Sequence, residues 1–276
     1  MSPDSSTAPR ADGDGTGPVP AKTAASLRGR AVLVVGCRGR MGAMLCRRGK
    51  AAGLDMRGVD VPLTDAVLAP ACKDAALVLL CVPAAVFADV AATVCAHLPA
   101  TAILADITSV KVRPLQQMEA IWPGPVVGTH PLFGPATPDE DGLPVTVTPG
   151  RTAREEDTAL AEAFFRALGC STFRATADEH DRAMARVQNM NFITNLAYFA
   201  LLAGQEDLLP YITPSFRRRL HAAEKMLTED GTMFTGLFEA NPYSHEAVRQ
   251  YRKMLNVAAA GDIELLCRRA QWWWKK

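Results

Sequence analysis

The spacing of hydrophobic positions changes character once along this chain. From Ala31 onward, short apolar or β-branched runs alternate with stretches of helical period: AVLVV stops at Gly36 and RMGAMLCRRGKAAG follows it. DMRGV leads to Asp60, and AALVLLCV stops at Pro83 before AAVFADVAATVCAHL. TAILAD, PVVGTH and LPVTVTP continue the strand pattern, and a helix over about 155–168 leads to CSTFRAT. Continuous apolar runs fit central parallel strands covered on both faces. Strands alternating with helices predict an α/β, doubly wound parallel sheet. After residue 177 the strand signals stop. DEHDRAMARVQNMNFITNLAYFALLAG reads as one long helix whose apolar positions run almost all round towards its C-terminal end. Such a helix is buried, in a large core or between subunits. Further helical period in PSFRRRLHAAEKMLTED and SHEAVRQYRKMLNVAAAGDIELLCRRAQWWW makes this second part all-α.

Composition refines the boundaries. Residues 1–29 are rich in Ser, Thr, Pro, Gly, Ala and Asp and poor in large apolar side chains, the pattern of a disordered tail without the apolar centre of a signal peptide. The expected organisation is therefore a tail over 1–29, a nucleotide-binding unit over 30–177 and a helical unit over 178–276. With 276 residues, 49% hydrophobic and 21% charged, the chain can bury an ordinary core. A net charge of +1 with interspersed signs argues against nucleic acid as a partner, and no apolar run reaches bilayer length. Seven cysteines without a CxxC pair imply a reduced, cytoplasmic protein with no structural zinc and no other metal site.

Two features carry candidate chemistry. In VLVVGCRGRMG, Gly36, Gly39 and Gly42 fall at a strand-to-helix turn, with Arg40 and Met41 opening the helix. Such a turn lets backbone approach a pyrophosphate whose charge rests on the helix N-terminus. Cys37 occupies the first glycine position of GxGxxG, so a tight turn without a ligand stays an alternative. Asp60, at the end of the second strand, is spaced to bind an adenosine ribose, and no arginine follows it to hold a 2′-phosphate. NAD is thus favoured over NADP. Val82 and Pro83, at the end of a neighbouring strand, are expected beside the nicotinamide half. ADITSVK and GTHPLFGP also follow strands. Both point to the same crevice, where the neutral imidazole of His130 can act as a base near pH 7.

Taken together, VVGCRGRMG, CVP, DITSVK, GPVVGTHPLFGP, DEHDRAMARVQ and TED…FEANP resemble the prephenate/arogenate dehydrogenases, in the family's order from about residue 31 to the C-terminus. The resemblance implies a Rossmann-type domain followed by an all-α dimerisation domain, and so a homodimer. It implies NAD-dependent oxidative decarboxylation of a cyclohexadiene, hydride leaving ring C4 and carbon dioxide leaving C1, with aromatisation as the drive. It makes His130 the catalytic histidine and puts Ser109 near the ring substituent and the nicotinamide.

The departures are specific. The family's ring-carboxylate arginine is replaced by Lys225, which keeps the charge but loses the bidentate fork. Arg217 is a possible supplement, and His221 lies one turn before Lys225 on the same predicted face. A histidine usual in the long helix is replaced by Phe192, with Asn189 nearby. These changes lean the reading towards 4-amino-4-deoxyprephenate, an intermediate of secondary metabolism, over prephenate or arogenate. Two other readings compete. One is a β-hydroxyacid or imine dehydrogenase using Lys225 as its catalytic lysine. The other is a non-catalytic NAD-binding dimer whose Cys37 crowds the pyrophosphate.

Overall fold

The computed structural model describes residues 27, 29–137 and 142–275. Most of the expected tail lies outside the described residues. Leu27, assigned to that tail, is only 1% exposed and belongs to the main apolar cluster, so the packed chain begins before Arg30. A single leucine in a polar stretch carries no periodicity, which is why the sequence reading passed over it.

The first half alternates as anticipated: β1 (Ala31–Val35), α1 (Arg40–Ala51), β2 (Asp55–Val59), α2 (Asp65–Cys72), β3 (Ala75–Leu80) and α3 (Phe87–Cys95). Then come β4 (Ile103–Asp106), α4 (Val112–Ile121), β5 (Val126–Pro131), β6 (Leu143–Pro149), α5 (Glu155–Ala167) and β7 (Cys170–Arg174). The seven strands form one sheet in the order β2-β1-β3-β4-β5-β6-β7. Two apolar clusters cover its faces, one around Phe164 and Phe165 of α5, the other around Phe87, Leu104 and Trp122. Burial on both sides is why β1, β3 and β4 read as unbroken apolar runs.

One pairing departs from the expected parallel sheet. β6 runs antiparallel to β5, with His130 opposite Thr146, and β7 then lies parallel to β6. The link between β5 and β6 contains no helix among its described residues, and a short link joins strands only antiparallel.

The remaining elements are helical: α6 (Ala177–Met184), α7 (Met190–Leu201), α8 (Pro214–Thr228), α9 (Gly231–Ala240), α10 (Ser244–Ala259) and α11 (Ile263–Ala270). Thr176 starts α6 with a capping box closed by Glu179. The expected single long helix is instead interrupted by a π-helical turn at Ala185–Asn189, a wider spacing that sequence periodicity does not register. Its all-round apolar surface is not buried within one chain: Val187, Leu196 and Leu201 are exposed. No helix among the described residues is long and apolar enough to cross a membrane.

Candidate active site

All four central strands β1, β3, β4 and β5 run parallel, so their carboxyl ends share one edge of the sheet. An open α/β sheet binds its ligand outside that edge. Gly36, Val82, Ser109 and His130 lie at these four strand ends, which brings the expected cofactor and catalytic groups to one place.

The glycine turn is built as a cradle. Gly36 has φ +86, and a Cβ there would collide with the carbonyl of Cys81 and press on Val82. A Cβ on Gly42 would run into the Gly36 carbonyl oxygen. The turn is tied to β2 by N–H groups of Gly36 and Cys37 donating to the Val59 carbonyl at 2.9 and 3.2 Å. Helix α1 starts at Gly39 without a side-chain cap. Its first-turn N–H groups are therefore available to an anion, and the donor set fits a dinucleotide pyrophosphate. Met41 is half-buried against the core beneath.

Cys37 does not crowd this cradle. Its side chain lies over Gly58 of β2, filling the space that a Cβ on Gly58 would take. The missing first glycine is thus compensated by a glycine on the neighbouring strand. Asp60 is half-buried and accepts the Arg38 N–H at 2.8 Å and the Val61 N–H at 2.9 Å, which fixes its carboxylate beside the glycine turn.

His130 sits on β5 and is 4% exposed. Its Nδ1 lies 2.9 Å from Nε2 of His180 on α6, and His180 Nδ1 lies 2.7 Å from Oδ1 of Asp181. Asp181, fully buried, also accepts the N–H groups of Lys111 at 2.7 Å and Val112 at 2.9 Å. Burial, then the neighbouring His180 and Lys111, hold the His130 ring well below the ordinary histidine value of 6.5. The ring is therefore neutral at physiological pH and can accept a proton. Its Nε2 makes no hydrogen bond to a described residue.

Lys111 ends the DITSVK segment completely buried, with Nζ 2.5 Å from Oδ2 of Asp106. Burial lowers its affinity for a proton and Asp106 opposes that effect. Thr108 bridges the pair, donating through its hydroxyl to Asp106. The loop is thereby pinned at both ends, and half-buried Ser109 is left with no hydrogen-bond partner among the described residues.

The helical residues are less concentrated. Asn189 is buried and donates to Ser244 Oγ at 2.8 Å, while Phe192, 3% exposed, stacks on Phe234 at 5.4 Å. Both have their partners within the helical part. Lys225 is half-exposed, 3.9 Å from Asp230, and Arg40 of the glycine turn reaches the same carboxylate at 3.0 Å. Arg217 is exposed, and His221, three-quarters exposed, faces Glu224 at 3.7 Å. In the single chain these two residues lie on open surface, because the predicted helical face they share points away from the packed side of α8 around Ala223.

Sequence reasoning missed His180 and Asp181. The acid–histidine–acid pattern in DEHD was visible, but nothing local shows that a helix from the second part supplies His130 with its neighbour. No group of three or more His, Cys, Asp or Glu side chains among the described residues is arranged to hold a metal ion.

Residues 47–171 match the sequence profile of the prephenate dehydrogenase nucleotide-binding domain. Over this stretch the chain is similar to the prephenate dehydrogenases. The T-protein of Enterobacter agglomerans is 28% identical over 238 residues, which cover 84% of this chain and 62% of that protein. Cyclohexadienyl dehydrogenase of Zymomonas mobilis is 27% identical over 212 residues, 71% of this chain and 72% of that one. This chain thus spans somewhat under two thirds of the T-protein's length. Among solved structures, the fold is shared with prephenate dehydrogenase from A. aeolicus in complex with hydroxyphenyl propionate and NAD+ (TM-score 0.70, 20% identity, 88% of this chain and 92% of that one). Synechocystis arogenate dehydrogenase shares it equally (TM-score 0.70, 21% identity, 87% and 96%).

Proposed function

We propose that this protein catalyses the NAD-dependent oxidative decarboxylation of a prephenate-type cyclohexadiene to an aromatic product. The observation that carries the reading is a neutral, buried imidazole with one uncommitted ring nitrogen, at the same edge of the sheet as the glycine cradle. The glycine turn and the uncapped start of α1 would hold the pyrophosphate, and Asp60 the adenosine ribose. Asp60 and the absence of a following basic residue favour NAD over NADP. When bound, NAD supplies the hydride acceptor.

The residues of the chain then have limited tasks, since aromatisation drives the reaction. His130 Nε2 accepts the proton of the ring substituent as hydride leaves C4, and returns it once carbon dioxide has departed from C1 and the ring is aromatic. Ser109, without another partner, can hydrogen-bond the same substituent. Lys225, with Arg40 nearby, supplies positive charge for the ring carboxylate.

Among possible substrates, 4-amino-4-deoxyprephenate is placed ahead of prephenate and arogenate. Phe192 offers an apolar ring where the family usually has a histidine, and Lys225 replaces a bidentate arginine. An amino group at C4 assists hydride loss with its own lone pair and demands fewer pocket hydrogen bonds. This assigns the enzyme to secondary metabolism, antibiotic biosynthesis included.

The assembly proposed is a homodimer through the helical part, in the cytoplasm. Support comes from exposed apolar side chains concentrated there, among them Leu201, Leu209, Tyr251 and Leu255, and from seven cysteines that are all free. The lysine-based dehydrogenase reading is disfavoured, because a catalytic lysine needs desolvation and Lys225 is half-exposed and faces a carboxylate.

The deciding experiment is NAD reduction followed in parallel with prephenate, arogenate and 4-amino-4-deoxyprephenate. Turnover of the amino substrate with the highest kcat/KM is expected. Three inert substrates with NAD still binding would end the reading.

A further inference from the structure

Asp181 decides which nitrogen of His130 carries a hydrogen. Its carboxylate is completely buried and surrounded by donors: the Lys111 N–H and the Val112 N–H from the start of α4, and the His180 ring from its own helix. An ionised carboxylate only accepts hydrogen bonds, so His180 Nδ1, 2.7 Å away, must carry a hydrogen. In a neutral ring the other nitrogen is then an acceptor. That acceptor, His180 Nε2, lies 2.9 Å from His130 Nδ1, which must therefore donate.

We infer that His180 and Asp181 form a positioning pair that holds His130 as its Nδ1–H tautomer, leaving the Nε2 lone pair for the substrate, and that accepts positive charge from His130 during turnover. The inference rests on the proposed dehydrogenation for the identity of the proton donor, and on geometry alone for the tautomer.

Burial opposes a positive charge on both rings at once. His130 is 4% and His180 3% exposed, and an imidazolium so far from water is costly unless paired. Asp181 is already satisfied by two main-chain donors, so it does not require a full counter-ion at rest. The other charges nearby, Lys111 and Asp106, are committed to each other.

The step balances in protons. The O–H or N–H bond of the C4 substituent breaks and a hydrogen joins His130 Nε2. The Nδ1 hydrogen of His130 passes to His180 Nε2, and the resulting imidazolium rests against the Asp181 carboxylate. Hydride goes to NAD, the C1–carboxylate bond breaks to release carbon dioxide, and its electron pair completes the aromatic ring. The two transfers then reverse and return one proton to the product's oxygen or nitrogen. Without His180 the charge stays on a buried ring beside Lys111.

The test is two-bond 1H–15N correlation spectroscopy of the full chain labelled in its histidine rings, with His130 assigned by the spectrum of His130→Asn. In the unaltered protein near pH 7.5 (a working value of about this size keeps imidazole neutral), His130 is expected to show a protonated Nδ1 and a bare Nε2. His180→Leu should move it to the opposite tautomer and lower kcat by roughly 10³–10⁴-fold, the scale of a wrong-tautomer defect in a catalytic triad. NAD affinity should be unchanged. His180→Gln keeps an oxygen able to accept from His130 Nδ1, and should restore the tautomer and part of the rate. A hydrogen on Nε2 of His130 in the unaltered protein would overturn the inference, as would an unchanged tautomer and kcat in His180→Leu. If His180→Leu does not fold, the spectrum of the unaltered chain decides alone. If no prephenate-type substrate is turned over, the proposed function falls while the spectrum still tests the pair.

Discussion

Arg40, the first residue of the helix that follows the glycine turn, binds Asp230 at the start of α9, Nη2 to Oδ1 at 3.0 Å. One carboxylate thus receives a cation from each half of the protein, since Lys225 approaches its other oxygen at 3.9 Å. The cofactor's cradle and the expected carboxylate-binding lysine are thereby joined through a single acid. Arg40 is largely exposed, so the pair adds little to stability, of the order of 0–1 kcal/mol. Its consequence is for binding. Lys225→Met is expected to raise the substrate KM about tenfold or more with kcat nearly unchanged, the pattern of lost uniform binding. Lys225→Arg should lower KM by supplying the bidentate fork. Steady-state kinetics of the two variants check both.

His130→Asn should give the reverse pattern. Removing a general base costs typically ~10²–10⁴ in rate. A fall in kcat of that size is expected, with NAD affinity, read by calorimetric titration, preserved because His130 lies outside the cradle.

The pH dependence follows from the depressed affinity of His130 for a proton, caused first by burial and then by His180 and Lys111. The groups facing the ring are His180, Asp181 and, further off, the Lys111–Asp106 pair. A ring that titrates well below 6.5 remains a base in mildly acidic solution, so the acidic fall in kcat is expected below pH 6.5. For stability the sign is as follows from proton counting. Below about 6.5 the unfolded ring binds a proton that the folded ring refuses, so unfolding is favoured. The contribution is fully present above that pH and is lost as pH falls towards the folded-state value. Urea midpoints between pH 7 and 5 should drop more steeply for the natural protein than for His130→Asn.

Gly42→Ala places a methyl group on the Gly36 carbonyl oxygen, and backbone on both sides leaves nowhere for it to go. The turn must open. NAD binding is expected to fall below detection by calorimetry, while the circular dichroism of the sheet is retained.

Lys111→Met removes one partner of a fully buried ion pair and leaves the Asp106 carboxylate without its cation. Breaking such pairs typically costs ~3–5 kcal/mol. A fall in denaturation midpoint of that magnitude is expected, with Asp106→Asn in the same background recovering part of it.

The strands were legible because both faces of β1, β3 and β4 are buried, and that writes unbroken apolar runs into the chain. The cradle was legible because close backbone approach admits only glycine at positions 36 and 42. His130 stood out for a similar reason, a lone imidazole among apolar and glycine residues. Other features left no local trace. Cys37 looked like a flaw in the turn until Gly58, on another strand, proved to make room for it. Arg217 and His221 shared a helical face with Lys225, yet that periodicity does not say whether the face meets a pocket or water.

From its sequence alone this chain declared an α/β sheet, a glycine turn, one candidate catalytic histidine and a helical second part, because each depends on spacing within a single segment. Folding decided what stands beside the histidine, which way β6 runs and which acid joins the two halves. Those relationships pair residues 50 positions apart for His130 and His180 and 190 apart for Arg40 and Asp230. Local propensity carries no information over such separations, so only packing of the helical part against the sheet edge could bring them together.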